Sequence, residues 1–101
     1  MAAYFILTQD FTDLERFRQE YVSKVFSFIA KHNGQVIVAS FDVEPLQGNP
    51  PKGAVVIRFP SEQAIRDWVN DPDYKPVKEV RLALTSNANA VLASAFRMPQ
   101  D

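Results

Sequence analysis

Cysteine is absent from the 101-residue chain, which excludes disulfides, thiolate nucleophiles and cysteine-ligated metals. Histidine occurs once, as His32, so an ordinary zinc site with its four ligands has too few donors of the usual kind. No metal and no cofactor are expected. Glycine is scarce, at three residues, and none of them builds the glycine-rich loops that cradle phosphates. A basic excess is missing too, since 11 Lys and Arg stand against 12 Asp and Glu for a net charge of -1. Affinity for nucleic acid comes largely from positive charge that neutralises phosphates, and no nucleic-acid partner is expected. No apolar run approaches the roughly 20 residues that span a bilayer. The opening apolar run is short and has no basic flank, unlike a signal peptide. No membrane partner is expected, and the cytoplasm is the expected compartment.

The residues that are present describe an ordinary globular chain, 47% apolar and 23% charged. Its length predicts a single domain over 1–97 with a short C-terminal tail over 98–101. The run Ala2 to Thr8 is short and rich in aromatic and branched residues, which suits a strand. Thr12 and Glu15 have the spacing of a capping box, and Asp13 adds negative charge where the helix dipole favours it. Leu14, Phe17, Tyr21, Val25, Phe28 and His32 then recur at steps of three and four, with Ile29 widening the stripe, which predicts an amphipathic helix of about five turns. Asn33-Gly34 stops it, because both residues tolerate a left-handed cap.

A second strand is predicted over Val36–Phe41. The prolines and glycines from Pro45 to Gly53 mark a loop. Ala54–Phe59 reads as a third strand closed by Pro60, and Ser61 is the expected N-cap of a short helix that turns Ala64, Ile65 and Trp68 inward. Asp71-Pro72 opens another turn, after which Val77, Val80, Arg81 and Leu84 share a helical face. Asn87–Phe96 reads as the fourth strand. The order β-α-β-β-α-β predicts an α+β, ferredoxin-like fold, a four-stranded antiparallel sheet with its helices on one face.

A sheet wet on one side should alternate apolar and polar residues. Here Tyr4 and Ile6 oppose Phe5 and Leu7, Val36 and Val38 oppose Ile37, Ala39 and Phe41, and Val55, Ile57 and Phe59 oppose Ala54, Val56 and Arg58. In the fourth strand Val91 opposes Ala90 and Leu92. Both faces are largely apolar, yet the helices cover one. At about 25 cal/mol per Å² of apolar surface, a wet sheet face forgoes several kcal/mol. A homodimer packed through that face is the expected remedy.

The string Phe59-Pro60-Ser61, Ala64, Trp68, Asp71-Pro72-Asp73-Tyr74, Pro76 and Arg81 resembles the DUF1330 family, small proteins of the dimeric α/β-barrel (ferredoxin-like) superfamily. Tyr4, Asp13, Tyr21, Asn33-Gly34 and Leu46-Gln47-Gly48 extend the resemblance over nearly the whole chain. The family's usual double glycine after the first helix is Asn33-Gly34 here, a glycine-containing turn after the second strand is Ser40-Phe41-Asp42, and a common Trp-Tyr pair is Trp68-Val69. The resemblance implies a homodimer whose sheets face each other and a cleft between sheet and helices in each subunit. It implies no particular reaction, since the superfamily includes cofactor-free oxygenases, isomerases and haem enzymes.

Candidate site residues are few. His32 has the intrinsic pKa of a general base, yet it ends an amphipathic stripe at a helix C-terminus, where a structural role accounts for it. Arg81, on an inward helical face, must meet a ligand anion, a carboxylate partner or a path to solvent. Trp68 and Tyr74 can enclose an apolar body and offer polar tips. Tyr4 is a further candidate for the cleft, while Tyr21 reads as core or dimer interface. The turn-flanking aspartates Asp10, Asp13, Asp71 and Asp73 are explained by capping. Two function classes follow: a dimeric small-molecule binding module, with cofactor-free catalysis as an extension and Arg81, Trp68, Tyr74, Tyr4 and His32 around the ligand, or a non-enzymatic interaction or stress-related scaffold that uses the fold to dimerise.

Overall fold

The structure, a computed structural model, describes residues 1–97; the tail expected over 98–101 lies outside the described residues. Strand β1 (Ala3–Phe11) leads into a helical segment made of α1 (Leu14–Phe17), a π-helical turn (Arg18–Val22) and α2 (Ser23–Lys31). Strands β2 (Gln35–Ser40) and β3 (Gly53–Phe59), helices α3 (Glu62–Val69) and α4 (Lys75–Ala83), and strand β4 (Thr85–Ser94) follow. The sheet is antiparallel with strand order β2-β3-β1-β4. This is the α+β, ferredoxin-like arrangement that the order of elements predicts.

Local chemistry sets the element ends. Helix α1 is capped by Asp13, whose side chain accepts from the Arg16 backbone N–H at 3.1 Å. Thr12 is not the cap, because its own N–H is drawn into the β1–β4 end of the sheet, donating to Leu84 O at 2.9 Å. Ser61 does cap α3, accepting from Ala64 N at 3.1 Å. At the end of α2, Asn33 alone takes the left-handed conformation (φ 63°). Gly34 N donates to Ile29 O and Asn33 N to Ala30 O, at 2.9 and 3.0 Å, the pairing of a Schellman motif. Gly34 is required for room rather than for φ: a Cβ there would sit 2.7 Å from Ile29 Cγ2 and from the Phe59 ring.

Two strands depart from simple alternation. In β2 the register with β3 slips between Val36 and Val38, so Val36 and Val38 lie on opposite faces and Val36 shares its face with Ala39. In β4 the register with β1 slips between Thr8 and Asp10, where β4 carries an extra residue and Asn87 takes φ 50°. That bulge lets the strand start at Thr85, directly after α4, rather than at Asn87.

The core lies between the sheet and the helices. Ala3, Phe5, Leu7 and Gln9 alternate as the buried side of β1. They meet Phe17, Tyr21, Val25 and Ile29 of the first helical segment, Ile65 and Trp68 of α3, and Tyr74, Val77 and Leu84 around α4. Trp68 is at its centre, edge-on to Phe5 at 4.9 Å, stacked on Phe59 at 5.5 Å and tilted against Tyr74 at 5.0 Å between ring centroids. The opposite face of the sheet carries a row that crosses all four strands, Val38–Val56–Ile6–Val91, beside a second row of Gln35, Arg58, Tyr4 and Ala93. Val38 and Val91 are about half exposed there, at 45% and 55%.

Candidate functional site

Alternation along β1 places Gln9 on the helix side, after Phe5 and Leu7, in what is otherwise an apolar wall. Gln9 is 1% exposed, and a buried amide requires partners. Its Oε1 accepts from Arg81 Nη1 at 3.4 Å. Arg81 reaches inward from the face of α4 that also carries Val77, and it is 7% exposed. No carboxylate among the described residues pairs with it. Tyr21, from the π-helical turn, and Tyr74, at the entry to α4, share a hydrogen bond between their hydroxyls at 2.7 Å. Burial pushes the Tyr21 phenol well above its ordinary value, and the hydrogen-bonded Tyr74 adds to the rise. Burial also raises Tyr74, against the opposing pull of Tyr21 and of the Arg81 cation. Both phenols are therefore protonated at neutral pH, and in the bond between them one donates and the other accepts.

A cavity of about 70 Å³ lies beside this cluster, between the first helical segment and the sheet. Its walls are apolar, with Leu7, Val25 and Ile57 among them, and Gln9, Tyr21 and Trp68 line it as well. The lining reaches the surface at Phe26 and Ala39. Phe41, from the segment where the chain departs from the usual glycine-containing turn, also lines it. The Arg18 guanidinium covers the Phe41 ring at 4.8 Å. Trp68 Nε1 is buried with no hydrogen-bond partner.

The expected site residues thus divide into three groups. Arg81, Trp68 and Tyr74 come together on the helix side, with Gln9 and Tyr21 as members that the sequence reading did not select; Gln9, Tyr21 and Trp68 line the cavity, whereas Arg81 and Tyr74 do not. Tyr4 does not join them. It pairs across the sheet with Arg58 and Ala93 on the face away from the helices, because alternation sends it opposite to Phe5. His32 lines no part of the cavity. Its Nε2 lies 2.8 Å from Asp71 Oδ2, which also takes Lys31 Nζ at 2.8 Å, while Asp71 Oδ1 accepts from Asp73 N at 2.9 Å. The Lys31 and His32 hydrogen bonds, helped by the Asp73 N–H, hold the Asp71 carboxyl far below the usual carboxylate range. This cluster ties the C-terminus of α2 to the α3–α4 turn. Among the described residues no group of three or more His, Cys, Asp or Glu side chains could hold a metal ion. No helix there is long and apolar enough to cross a membrane.

Solved structures with the same fold are distant in sequence. A protein of unknown function from Rhodopseudomonas palustris is 12% identical over 96% of this chain and 84% of its own, with a TM-score of 0.79. The cofactor-independent oxygenase SnoaB from Streptomyces nogalater is 15% identical over 99% of this chain and 98% of its own, with a TM-score of 0.68. A dimeric ferredoxin-like protein of unknown function from Thermobifida fusca is 19% identical over 94% and 92%, with a TM-score of 0.57. At these identities the likeness is one of fold. No curated protein matches the sequence. A family model described as a domain of unknown function, DUF1330, matches residues 2–96, in accord with the Phe59-to-Arg81 string, and the chain belongs to the DUF1330 family.

Proposed function

We propose that the protein is a homodimer that binds a small carboxylate between its helices and its sheet, with the charged head against Arg81 and the apolar body in the adjoining cavity. The observation that carries this reading is Arg81 itself, 7% exposed and without a carboxylate partner among the described residues. An arginine kept from water costs several kcal/mol unless an opposite charge meets it. A neutral amide at 3.4 Å and two phenols offset part of that cost, and a carboxylate would complete it with a planar, two-pronged contact. A module that only dimerises gives no reason to bury this cation beside a cavity.

Dimerisation is supported by the Val38–Val56–Ile6–Val91 row, which crosses the uncovered side of the sheet, and by the dimeric form of the Thermobifida fusca neighbour. A second copy placed sheet to sheet would bury that row in a closed two-fold assembly. Cofactor-free catalysis, the chemistry named for the Streptomyces nogalater neighbour, is an extension of the reading that requires a bound substrate first.

Thermal unfolding with butyrate, and with butyramide as its neutral counterpart, tests the binding. At ten times its dissociation constant butyrate should stabilise the protein by about 1.4 kcal/mol, a rise of roughly 5–10 °C in a domain of this size, with less from butyramide. Unshifted melting across short carboxylates would contradict the proposal. Light scattering at micromolar concentration should return twice the chain mass, and a stable monomer would contradict the sheet-to-sheet pairing.

A further inference from the structure

The C-terminal end of α2 makes two demands on the residues that follow it. Position 33 takes φ 63°, a conformation that glycine adopts freely and that asparagine tolerates better than most residues. Position 34 has no room for a Cβ, which would lie 2.7 Å from Ile29 Cγ2 and from the Phe59 ring. Two glycines would satisfy both demands. This chain satisfies them with Asn33-Gly34, and that solution carries a reactivity that two glycines would lack. In an asparagine–glycine pair the backbone nitrogen of the second residue can attack the side-chain amide of the first, because no side chain obstructs the approach. Of the five asparagines, only Asn33 precedes a glycine. Asn49 precedes Pro50, which has no N–H to give up, and Asn70, Asn87 and Asn89 precede residues that carry a Cβ. Asn33 is exposed, so water reaches its amide.

We propose that Asn33 is a site of spontaneous deamidation whose rate is set by the clasp between the end of α2 and the α3–α4 turn. In the reaction the Gly34 nitrogen loses its proton and bonds to Asn33 Cγ, the Cγ–Nδ2 bond breaks, and ammonia leaves. Water then opens the cyclic imide at either carbonyl, giving aspartate or isoaspartate at position 33. The folded chain opposes the first step. Gly34 N–H donates to Ile29 O at 2.9 Å, so the attacking nitrogen is engaged by the helix end. Its release requires the last turn of α2 to open. That turn is tied down through Lys31 Nζ and His32 Nε2, each 2.8 Å from Asp71 Oδ2. The reaction therefore follows the small population in which the clasp is open. Neither product restores the original end. Isoaspartate lengthens the backbone and breaks the Schellman pairing, and both products place a negative charge at a helix C-terminus, where the dipole disfavours it. Each event loosens the end of α2 for good, so the site records how long the clasp has stood open. This inference is independent of any ligand at Arg81.

The experiment incubates the full chain near neutral pH, with and without urea, and follows it by peptide mass mapping. Folded wild type should show the mass change of an amide becoming an acid in the peptide that contains Asn33-Gly34 before any other. Asn33→Gly should show no change there. Folded Asp71→Asn should react roughly threefold to tenfold faster than folded wild type, as its clasp opens more often. In urea the two should react at one common rate, above that of folded wild type. A first change at another asparagine would overturn the proposal, and so would equal rates for the folded wild type and Asp71→Asn. The comparison of folded with unfolded wild type decides the matter even where Asp71→Asn folds poorly, because equal rates there would show that the fold gives Asn33 no protection.

Discussion

Two charged side chains are buried close together in sequence, Asp71 in the α3–α4 turn and Arg81 on α4, at 6% and 7% exposure. They are satisfied very differently. Asp71 receives a lysine ammonium, the histidine ring and a backbone N–H, all within 2.9 Å. Arg81 receives an amide oxygen at 3.4 Å and the company of two neutral phenols. A buried charge with a full set of partners is part of the architecture, here a clasp between the end of α2 and the turn. A buried charge short of an opposite partner is the one that the proposal gives to a ligand anion. The difference separates His32, which sequence alone leaves as a candidate base, from Arg81, whose partner Gln9 lines the cavity.

The largest expected effect is a reversal of sign between the two charges. A buried ion without an opposite charge costs several kcal/mol, more than the single amide bond that Arg81→Met gives up. Arg81→Met should therefore leave the unliganded protein as stable as wild type or more so, whereas Asp71→Asn should destabilise it. Urea unfolding at one protein concentration checks both, and parallel losses would erase the distinction. Next in size is Tyr74→Phe, which removes one hydroxyl of the 2.7 Å pair and should cost about 1–3 kcal/mol by leaving Tyr21 short of a partner. It should also remove one of two phenols that ionise only above pH 10, the ordinary tyrosine value, as read by tyrosinate absorbance. Because these folded-state values are raised, their contribution to stability is complete below pH 10 and is lost as pH rises beyond it.

The smallest effect belongs to His32→Gln, since Asp71 keeps Lys31 and the Asp73 N–H. The pH dependence there runs the other way. The Asp71 carboxyl is depressed below its ordinary 3.8, so its stabilisation is present above that pH and fades as the pH falls below it. The stability gap between wild type and Asp71→Asn should narrow on acidification across that window, and a gap constant down to pH 2 would place the stabilisation elsewhere.

Much of this molecule could be read in its sequence where the signal is local. Ser61 caps α3, Trp68 and Ile65 turn inward, and the β1 alternation that puts Phe5 and Leu7 in the core also puts Gln9 there, a signal present but not used. The same alternation rules Tyr4 out of the helix-side cleft. Features that depend on pairing between strands were not legible. The slip near Ile37 redirects Val38, and the bulge at Asn87 moves the start of β4, because one extra residue reverses faces without changing composition. The cap shifted from Thr12 to Asp13 because Leu84, 72 residues away, claims the Thr12 N–H. Arg81 was visible as an inward cation, but its lack of a carboxylate is a property of the packed structure alone.

The central claim is that Arg81 stays buried to meet a ligand anion. Isothermal titration of butyrate into wild type and Arg81→Met at pH 7 tests it most directly. The account predicts saturable binding to wild type and at least a tenfold loss in the variant, the equivalent of about 1.4 kcal/mol. Equal affinity in the two proteins would contradict it.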